Sequence, residues 1–222
     1  AATDVSVAGG SDGGVAAGTV TAGLSGVGPE GAVRRGGDRR AEPRGWRTRV
    51  VDFGDGLQRA VSIPWGDVST AYHTTGIPNV DVYLALPRAG RTAAALVPYL
   101  GGVLDADAIQ RGLSWLIDRY VDGPDAETRA SGEARVWGEV RTDDDRLVSR
   151  LRTPEPYRLT ADAATLIAGR VRGGDAPAGY ATPASAFGPD LVLELDGVER
   201  VDFVADEVVA RASSPGEGAA GD

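Results

Sequence analysis

The chain has 222 residues, of which 42% are hydrophobic, so it is long enough to bury a sizeable core. It contains no cysteine, which excludes disulfides, thiolate nucleophiles and cysteine-based zinc sites. All 23 basic residues are arginines, and 32 Asp and Glu residues give a formal net charge of −9. That balance argues against nucleic-acid binding, which requires a basic face.

The acidic, lysine-free composition has two explanations. It is typical of a halophilic protein, because dense carboxylates keep a protein hydrated and soluble in salt. The codon bias of a GC-rich genome favours the same residues. No apolar run reaches the roughly 20 residues that span a bilayer, and the first residues lack the pattern of a signal peptide. We therefore expect a soluble, cytoplasmic protein without a membrane span.

The N-terminal stretch begins with a short predicted strand at 5–8, followed by a small-residue segment, 13–26, that is predicted to be helical. Its glycines, at 9, 10, 13, 14 and 18, do not give the G-x-G-x-x-G spacing of a dinucleotide-binding turn. The stretch 28–46, rich in Gly, Pro and Arg, is predicted to be a loop. Its arginines match the geometry of a phosphate, but the interleaved glycines and acids favour a solvated loop.

A hairpin and a helix are predicted next. Strands at 48–53 and 58–63 flank Gly54-Asp55-Gly56, a sequence that tolerates the positive φ of a tight turn. Asp67 is predicted to cap a helix over 68–75, and Gly76 is predicted to close it in the left-handed conformation. The nearly continuous apolar run 80–86 predicts a central strand.

The second half of the chain predicts two further helices and two further hairpins. The first helix starts at Asp105 and runs to 121, and Thr160 is predicted to cap the second, at 161–171. The hairpins turn at 143–145 and at Asp196-Gly197, with a loop at 182–188 between the second helix and the last hairpin. The expected apolar faces are Ala134, Val136, Gly138 and Val140 in the first hairpin, and Ala164, Ile167, Ala168 and Val171 in the second helix.

The predicted elements do not form a repeating βαβ unit. They predict an α+β fold, with helices packed on a mixed, largely antiparallel sheet. We expect one domain over residues 1–211 and a disordered, low-complexity tail at 212–222.

The stretch 63–83 holds the densest set of chemically useful side chains. Tyr72 and His73 can donate a proton, and histidine exchanges protons near neutral pH. The alternative is that both are ordinary helix residues with satisfied hydrogen bonds. We expect no metal site, because His73 is the only histidine and the acidic run 143–145 lacks the spacing of a calcium loop. The candidate site residues are Tyr72 and His73 for catalysis and Trp65, Asp67, Thr70 and Thr74 for the substrate pocket.

Several stretches resemble one enzyme family. "VDFGDG", "AVSIPWGDVSTAYHTTGIPNVDVY" and "GPDAETR" are similar to the C-terminal part of the saccharopine dehydrogenase-like oxidoreductases, above all to the trans-acting enoyl reductases. "PYRLTADAATLIAGRVRGGDAPAGYATPASAFGPDLVLEL" is similar as well, so that the resemblance covers roughly 48–204. Ser11, Gly13 and Gly14 look like a loosened form of the Ser-Gly-Gly-Thr turn that opens the family's second domain.

The resemblance implies a two-domain NAD(P)-dependent oxidoreductase. This chain would be its second domain, which acts on a small-molecule or acyl substrate. The NAD(P)H site would lie in an N-terminal Rossmann domain that this sequence lacks, so we expect the chain to be inactive alone. The family also implies a homodimer contact. The alternative function is a non-catalytic dimerisation or partner-binding domain.

Overall fold

In the computed structural model of the protein, residues 1–11, 30–43, 47–85 and 131–204 are described. These residues form nine strands of one sheet, three α-helices and a short 3₁₀ helix. The strands are β1 (Asp4–Ser11), β2 (Glu30–Arg35), β3 (Asp38–Pro43), β4 (Thr48–Asp52), β5 (Leu57–Ser62), β6 (Asn79–Ala85), β7 (Glu133–Arg141), β8 (Arg146–Pro154) and β9 (Glu199–Val204). The helices are α1 (Asp67–Thr75), α2 (Pro156–Gly173), α3 (Pro183–Phe187) and the 3₁₀ helix Leu191–Glu194.

The sheet is mixed and mostly antiparallel. Its strand order is β3-β2-β6-β1-β7-β8-β9, and the β4–β5 hairpin joins it through pairing of β5 with β6. Only β1 and β6 pair in parallel within the described residues. Both β2 and β5 reach β6, with Arg34 opposite Val80 and Ala60 opposite Ala85. This mixed, mostly antiparallel sheet, with few helices in the described part of the chain, confirms the predicted α+β class.

Each face of the β1–β6 pair is covered by a different element. Alternate residues of a strand point to opposite faces, so β1 supplies Val5 to one side and Ala8 to the other. Helix α1 packs on the first side through Val68, and the β4–β5 hairpin packs on the second. Burying each large apolar side chain contributes about 1.5–3 kcal/mol. The first cluster is Val5, Val68, Ile77, Val80 and Val82, and the second is Ala8, Val51, Phe53, Ala60, Tyr83, Trp137 and Val148.

A buried glutamate joins the β4–β5 hairpin to the sheet. Glu139 is 2% exposed and accepts hydrogen bonds from Arg49, Arg141 and Arg146. Arg49 also donates to Ser6 Oγ at 2.9 Å and lies over the Trp137 ring. Burial raises the pKa of Glu139, but the three guanidinium groups outweigh it and hold the pKa below its ordinary value.

The expected face of β7 was therefore wrong in part. Trp137 and Glu139 alternate with the predicted apolar residues, yet both are buried, whereas Val136 and Val140 are only half-buried. The reason is that β7 lies between β1 and β8, and the β4–β5 hairpin covers its other face.

Several predicted elements are confirmed. The β4–β5 hairpin turns through Gly54 and Gly56, whose φ values are 106° and 131°. Helix α1 ends at Gly76, with φ 72°, and β6 is a central strand. The β7–β8 hairpin turns in the predicted acidic segment.

The predicted loop at 28–46 is wrong, because β2 and β3 form a hairpin there. Gly36 and Gly37 have φ values of 59° and 86°, as a two-residue turn of type I′ requires. Val33 is buried, and Arg35 forms an ion pair with Asp81 at 2.6 Å. The arginines of this stretch therefore belong to strands, which the high Gly and Pro content did not predict.

The last predicted hairpin is also wrong. The apolar run after Asp190 forms the 3₁₀ helix, and only β9 is a strand. Strand β9 pairs with β8 rather than with the apolar run, whose Leu191 is buried within the 3₁₀ helix. The predicted turn residue Gly197 does have a positive φ, of 79°. The predicted loop at 182–188 contains the short helix α3.

Two helix caps differ from the prediction. Helix α2 begins at Pro156 rather than after Thr160, because Glu155 accepts from Tyr157 N and Arg158 N, both at 2.9 Å. Thr160 instead donates to the Pro156 carbonyl within the helix. Of the four residues predicted to form the apolar side of α2, only Ile167 is half-buried. The half-buried stripe of the helix instead consists of Leu159, Ala163, Leu166, Ile167 and Arg170. Asp67 is the first residue of α1 and makes no capping hydrogen bond; Gly66 is the N-cap.

The predicted helices at 13–26 and 105–121, and the predicted disordered tail, lie outside the described residues. Among the helices that are described, none is both long enough and apolar enough to cross a membrane.

Replacing Glu139 should destabilise the fold in a pH-dependent way. Glu139→Gln leaves three guanidinium groups without their shared carboxylate, and we expect a loss of about 2 kcal/mol in unfolding free energy at pH 7. Because the folded-state pKa lies below the ordinary value of 4.5, the contribution of Glu139 is complete above that pH. It is lost as the pH falls through the folded-state pKa, so the difference between wild type and variant should shrink in acid.

Urea denaturation followed by circular dichroism at pH 7 and at lower pH measures this difference. Glu133→Gln is the matched control on the same strand, since Glu133 is more exposed and forms surface ion pairs that contribute little. A wild-type advantage that stays constant or grows in acid would contradict the assignment.

Candidate functional site

Helix α1 is held on the sheet by its apolar side and turns directly into β6. Val68 is 2% exposed, and Ala71 and Tyr72 pack against the same cluster. The Gly76 N–H donates to the Tyr72 carbonyl at 2.8 Å, which closes the helix before β6 begins. The end of α1 is therefore fixed relative to the central strands, and its side chains are well positioned for recognition.

Arg34 links the helix to the β2–β3 turn and lies over Tyr72. Its guanidinium carbon is 4.2 Å from the centre of the Tyr72 ring, a cation–π geometry. Its Nε donates to the Val68 carbonyl at 3.1 Å, and its Nη1 donates to the Gly37 carbonyl. A Cβ on Gly37 would meet the Tyr72 hydroxyl at 3.5 Å, so this turn passes close to the phenol.

His73 lies between two tyrosine rings. The Tyr72 ring centre is 5.6 Å away at an interplanar angle of 67°, and the Tyr180 ring centre is 5.7 Å away at 72°. Both are edge-to-face contacts, which suit the charge distribution of aromatic rings. His73 and Tyr180 are exposed, so both can meet a ligand from solvent.

A hydroxyl pair fixes Tyr180 beside the helix. Thr74 Oγ1 and Thr182 Oγ1 are hydrogen-bonded at 2.7 Å across 108 residues of sequence. Thr182 also caps α3, accepting from Ser185 N at 3.2 Å, while the Ser185 hydroxyl accepts from Thr182 N at 2.9 Å. Because Thr182 is held by both helices, Tyr180 two residues earlier is held near His73.

We call Arg34, Tyr72, His73, Thr74, Tyr180 and Thr182 the α1 site. It combines an imidazole and two phenols, which can move a proton, with a guanidinium that can bind an anion. Among the described residues, no group of three His, Asp or Glu side chains could hold a metal ion.

The predicted site residues divide into two groups. Tyr72, His73 and Thr74 come together in the α1 site, and the Thr70 carbonyl accepts from Thr74 Oγ1 at 2.7 Å. Trp65 is 44% exposed, and Asp67 is also exposed at the other end of the helix. Within the described part of the chain, no hydrogen bond, ion pair or ring contact joins their side chains to the α1 site.

Sequence reasoning missed Arg34, Tyr180 and Thr182 as members of the site. Arg34 was assigned to a loop, and its position against Tyr72 depends on the pairing of β2 with β6. Tyr180 and Thr182 belong to the Gly-Tyr-x-Thr-Pro stretch that contributes to the family resemblance, which was the one available signal.

Removing the Thr182 hydroxyl should release Tyr180 from His73. Thr182→Val loses both the cap and the bond to Thr74, and we expect about 1–2 kcal/mol lower stability. The environment of the His73 imidazole should change with it, which proton NMR can follow because the protein has one histidine. Thr182→Ser keeps the hydroxyl and should retain the wild-type signal. An unchanged His73 signal in Thr182→Val would contradict this role.

Comparison with known proteins assigns no family to the chain. No family model matches it, and no curated protein matches it in sequence.

Proposed function

We propose that this chain is the substrate-side portion of an NAD(P)-dependent oxidoreductase of the saccharopine dehydrogenase-like type. One observation carries the proposal. Two stretches that support the resemblance, around Tyr72 and around Tyr180, lie more than 100 residues apart in sequence, yet they meet through the Thr74–Thr182 hydrogen bond. A site assembled from separate parts of the chain is a stronger candidate than a single helix with useful residues.

The reaction would add hydrogen to an unsaturated or imine-like carbon of a small-molecule or acyl substrate. NAD(P)H, when bound, would supply the hydride. Among the described residues, Gly9 and Gly10 do not form that cofactor's glycine-rich turn, since both lie within strand β1. As the family resemblance implies, the cofactor site would lie in a Rossmann half outside this chain, with this domain after it.

The chain itself would position the acceptor and supply the proton. Tyr72 or His73 is the proposed proton donor, because a phenol and an imidazole can each donate a proton and the two rings are in contact on α1. Arg34 would hold a polar or anionic end of the substrate, and Thr74 with Thr182 would keep the two stretches together. Trp65, Asp67 and Thr70 remain candidates for an extended pocket along α1.

Removing either proposed proton donor should slow the reaction without unfolding the protein. In the protein that includes a nucleotide-binding half, Tyr72→Phe and His73→Gln should each lower turnover at least about tenfold, as expected when general acid catalysis is lost. Steady-state kinetics with NADPH oxidation as readout and circular dichroism for folding measure the two effects.

Tyr157→Phe is a matched control, because it removes a phenolic hydroxyl from a different helix. Its turnover should equal that of the wild type. Wild-type rates in both Tyr72→Phe and His73→Gln would remove the catalytic assignment.

The chain alone should not bind the cofactor tightly. We expect no saturable NADPH binding at micromolar concentrations in a fluorescence titration of the 222-residue chain. Saturation in the micromolar range would contradict the location of the cofactor site in a separate half. A reading frame that extends upstream through a strand, a glycine-rich turn and a helix would favour the enzyme over a non-catalytic dimerisation or partner-binding domain.

A further inference from the structure

The β2–β3 hairpin concentrates arginines that lack carboxylate partners. Most described arginines form ion pairs with Asp or Glu, as Arg49 does with Glu139 and Arg150 does with Asp52. Within the described residues, the arginines without such a pair are Arg34, Arg39, Arg40, Arg59 and Arg172. The first three lie in this one hairpin, although the protein carries a net charge of −9.

The strand register brings two of these arginines to the same face. Arg34 lies directly opposite Arg39, and Arg40 lies opposite Val33. Directly paired residues of an antiparallel ladder share a face, and neighbours along a strand point to opposite faces. Arg39 therefore shares the face on which Arg34 contacts Tyr72, and Arg40 points to the other side.

Two like charges in a direct cross-strand pair destabilise a sheet. The carboxylates closest in sequence do not relieve this pair. Asp38 lies opposite Arg35 and Glu42 lies opposite Gly31, so both carboxylates are on the other face. The hydrogen bonds of Arg34 go to the neutral carbonyls of Val68 and Gly37. A bound dianion would compensate both charges at once.

We propose that Arg34 and Arg39 form a binding site for a phosphoryl group carried by the ligand of the α1 site. A guanidinium group matches the oxygens of a phosphate through paired N–H donors. Tyr72 lies under Arg34, and His73 with Tyr180 continues the same surface, so the rest of the ligand would lie along aromatic rings. This inference rests on the proposed function, because it names a chemical group of the ligand of that site.

Phosphate binding to the isolated chain tests the site without any turnover. The single His73 imidazole is the reporter in proton NMR, with inorganic phosphate and then phenyl phosphate titrated at constant pH and constant ionic strength. We expect a saturable shift with a dissociation constant on the order of millimolar, and tighter binding of phenyl phosphate because its ring can contact the tyrosines.

Adjacent arginines supply the matched variants. Arg39→Gln should weaken phosphate binding about tenfold, which is the effect of losing one charge-assisted hydrogen bond. Arg40→Gln removes the same charge from the opposite face and should stay within about twofold of wild type. Arg34→Gln should weaken binding at least as much as Arg39→Gln. Because Arg34 also contacts α1, its replacement can disturb the helix, so the comparison of Arg39→Gln with Arg40→Gln decides the test.

A shift that does not saturate, or equal weakening by Arg39→Gln and Arg40→Gln, would overturn the site.

The source of the phosphoryl group is tested in the protein that includes a nucleotide-binding half. Competition of phenyl phosphate with the substrate alone supports a phosphorylated substrate, and competition with NADPH supports a phosphate of the nucleotide. The two proposals fail separately. Lost turnover in Tyr72→Phe without phosphate binding overturns this inference alone, whereas phosphate binding with unaffected turnover overturns the catalytic function alone.

Discussion

The parallel pairing of β1 with β6 is the contact on which the other layers depend. Six consecutive residue pairs join these strands, and Val5, Ala8, Val80 and Val82 from them are buried. Helix α1 has its apolar support on one face of this pair, and the β4–β5 hairpin has its support on the other. Since α1 runs directly into β6, any displacement of that strand would displace the helix and with it the α1 site.

The two faces of the sheet are stabilised in different ways. The α1 face is apolar beneath the helix, and Arg34 donates to the Val68 carbonyl where the helix meets the β2–β3 hairpin. The opposite face combines an apolar cluster with the buried Glu139 and its three arginines. Burying a carboxylate is costly unless it is hydrogen-bonded or paired with cations, so the three arginines make the burial of Glu139 possible on this face.

Local sequence signals predicted the elements that depend on local chemistry. The glycines around Asp55 and the left-handed Gly76 were sufficient for their turns, and the alternation over β7 was sufficient for the strand but not for its buried face. The β2–β3 hairpin was missed because its support is distant, through Val33 and the Arg35–Asp81 ion pair. The same limit applies to the site: Tyr72, His73 and Thr74 are neighbours in sequence, but Arg34, Tyr180 and Thr182 reach them only through sheet pairing and the capped α3 helix.

The central position of β1 has a consequence for how the chain folds. Val5 lies opposite Val80 on one side and opposite Val140 on the other. Strand β1 therefore cannot complete its two ladders until β6 and then β7 have been synthesised. Contacts of such long sequence separation must overcome the entropy of closing large loops, which slows folding. We expect a domain that assembles late and cooperatively, with β1 among the last strands to be enclosed.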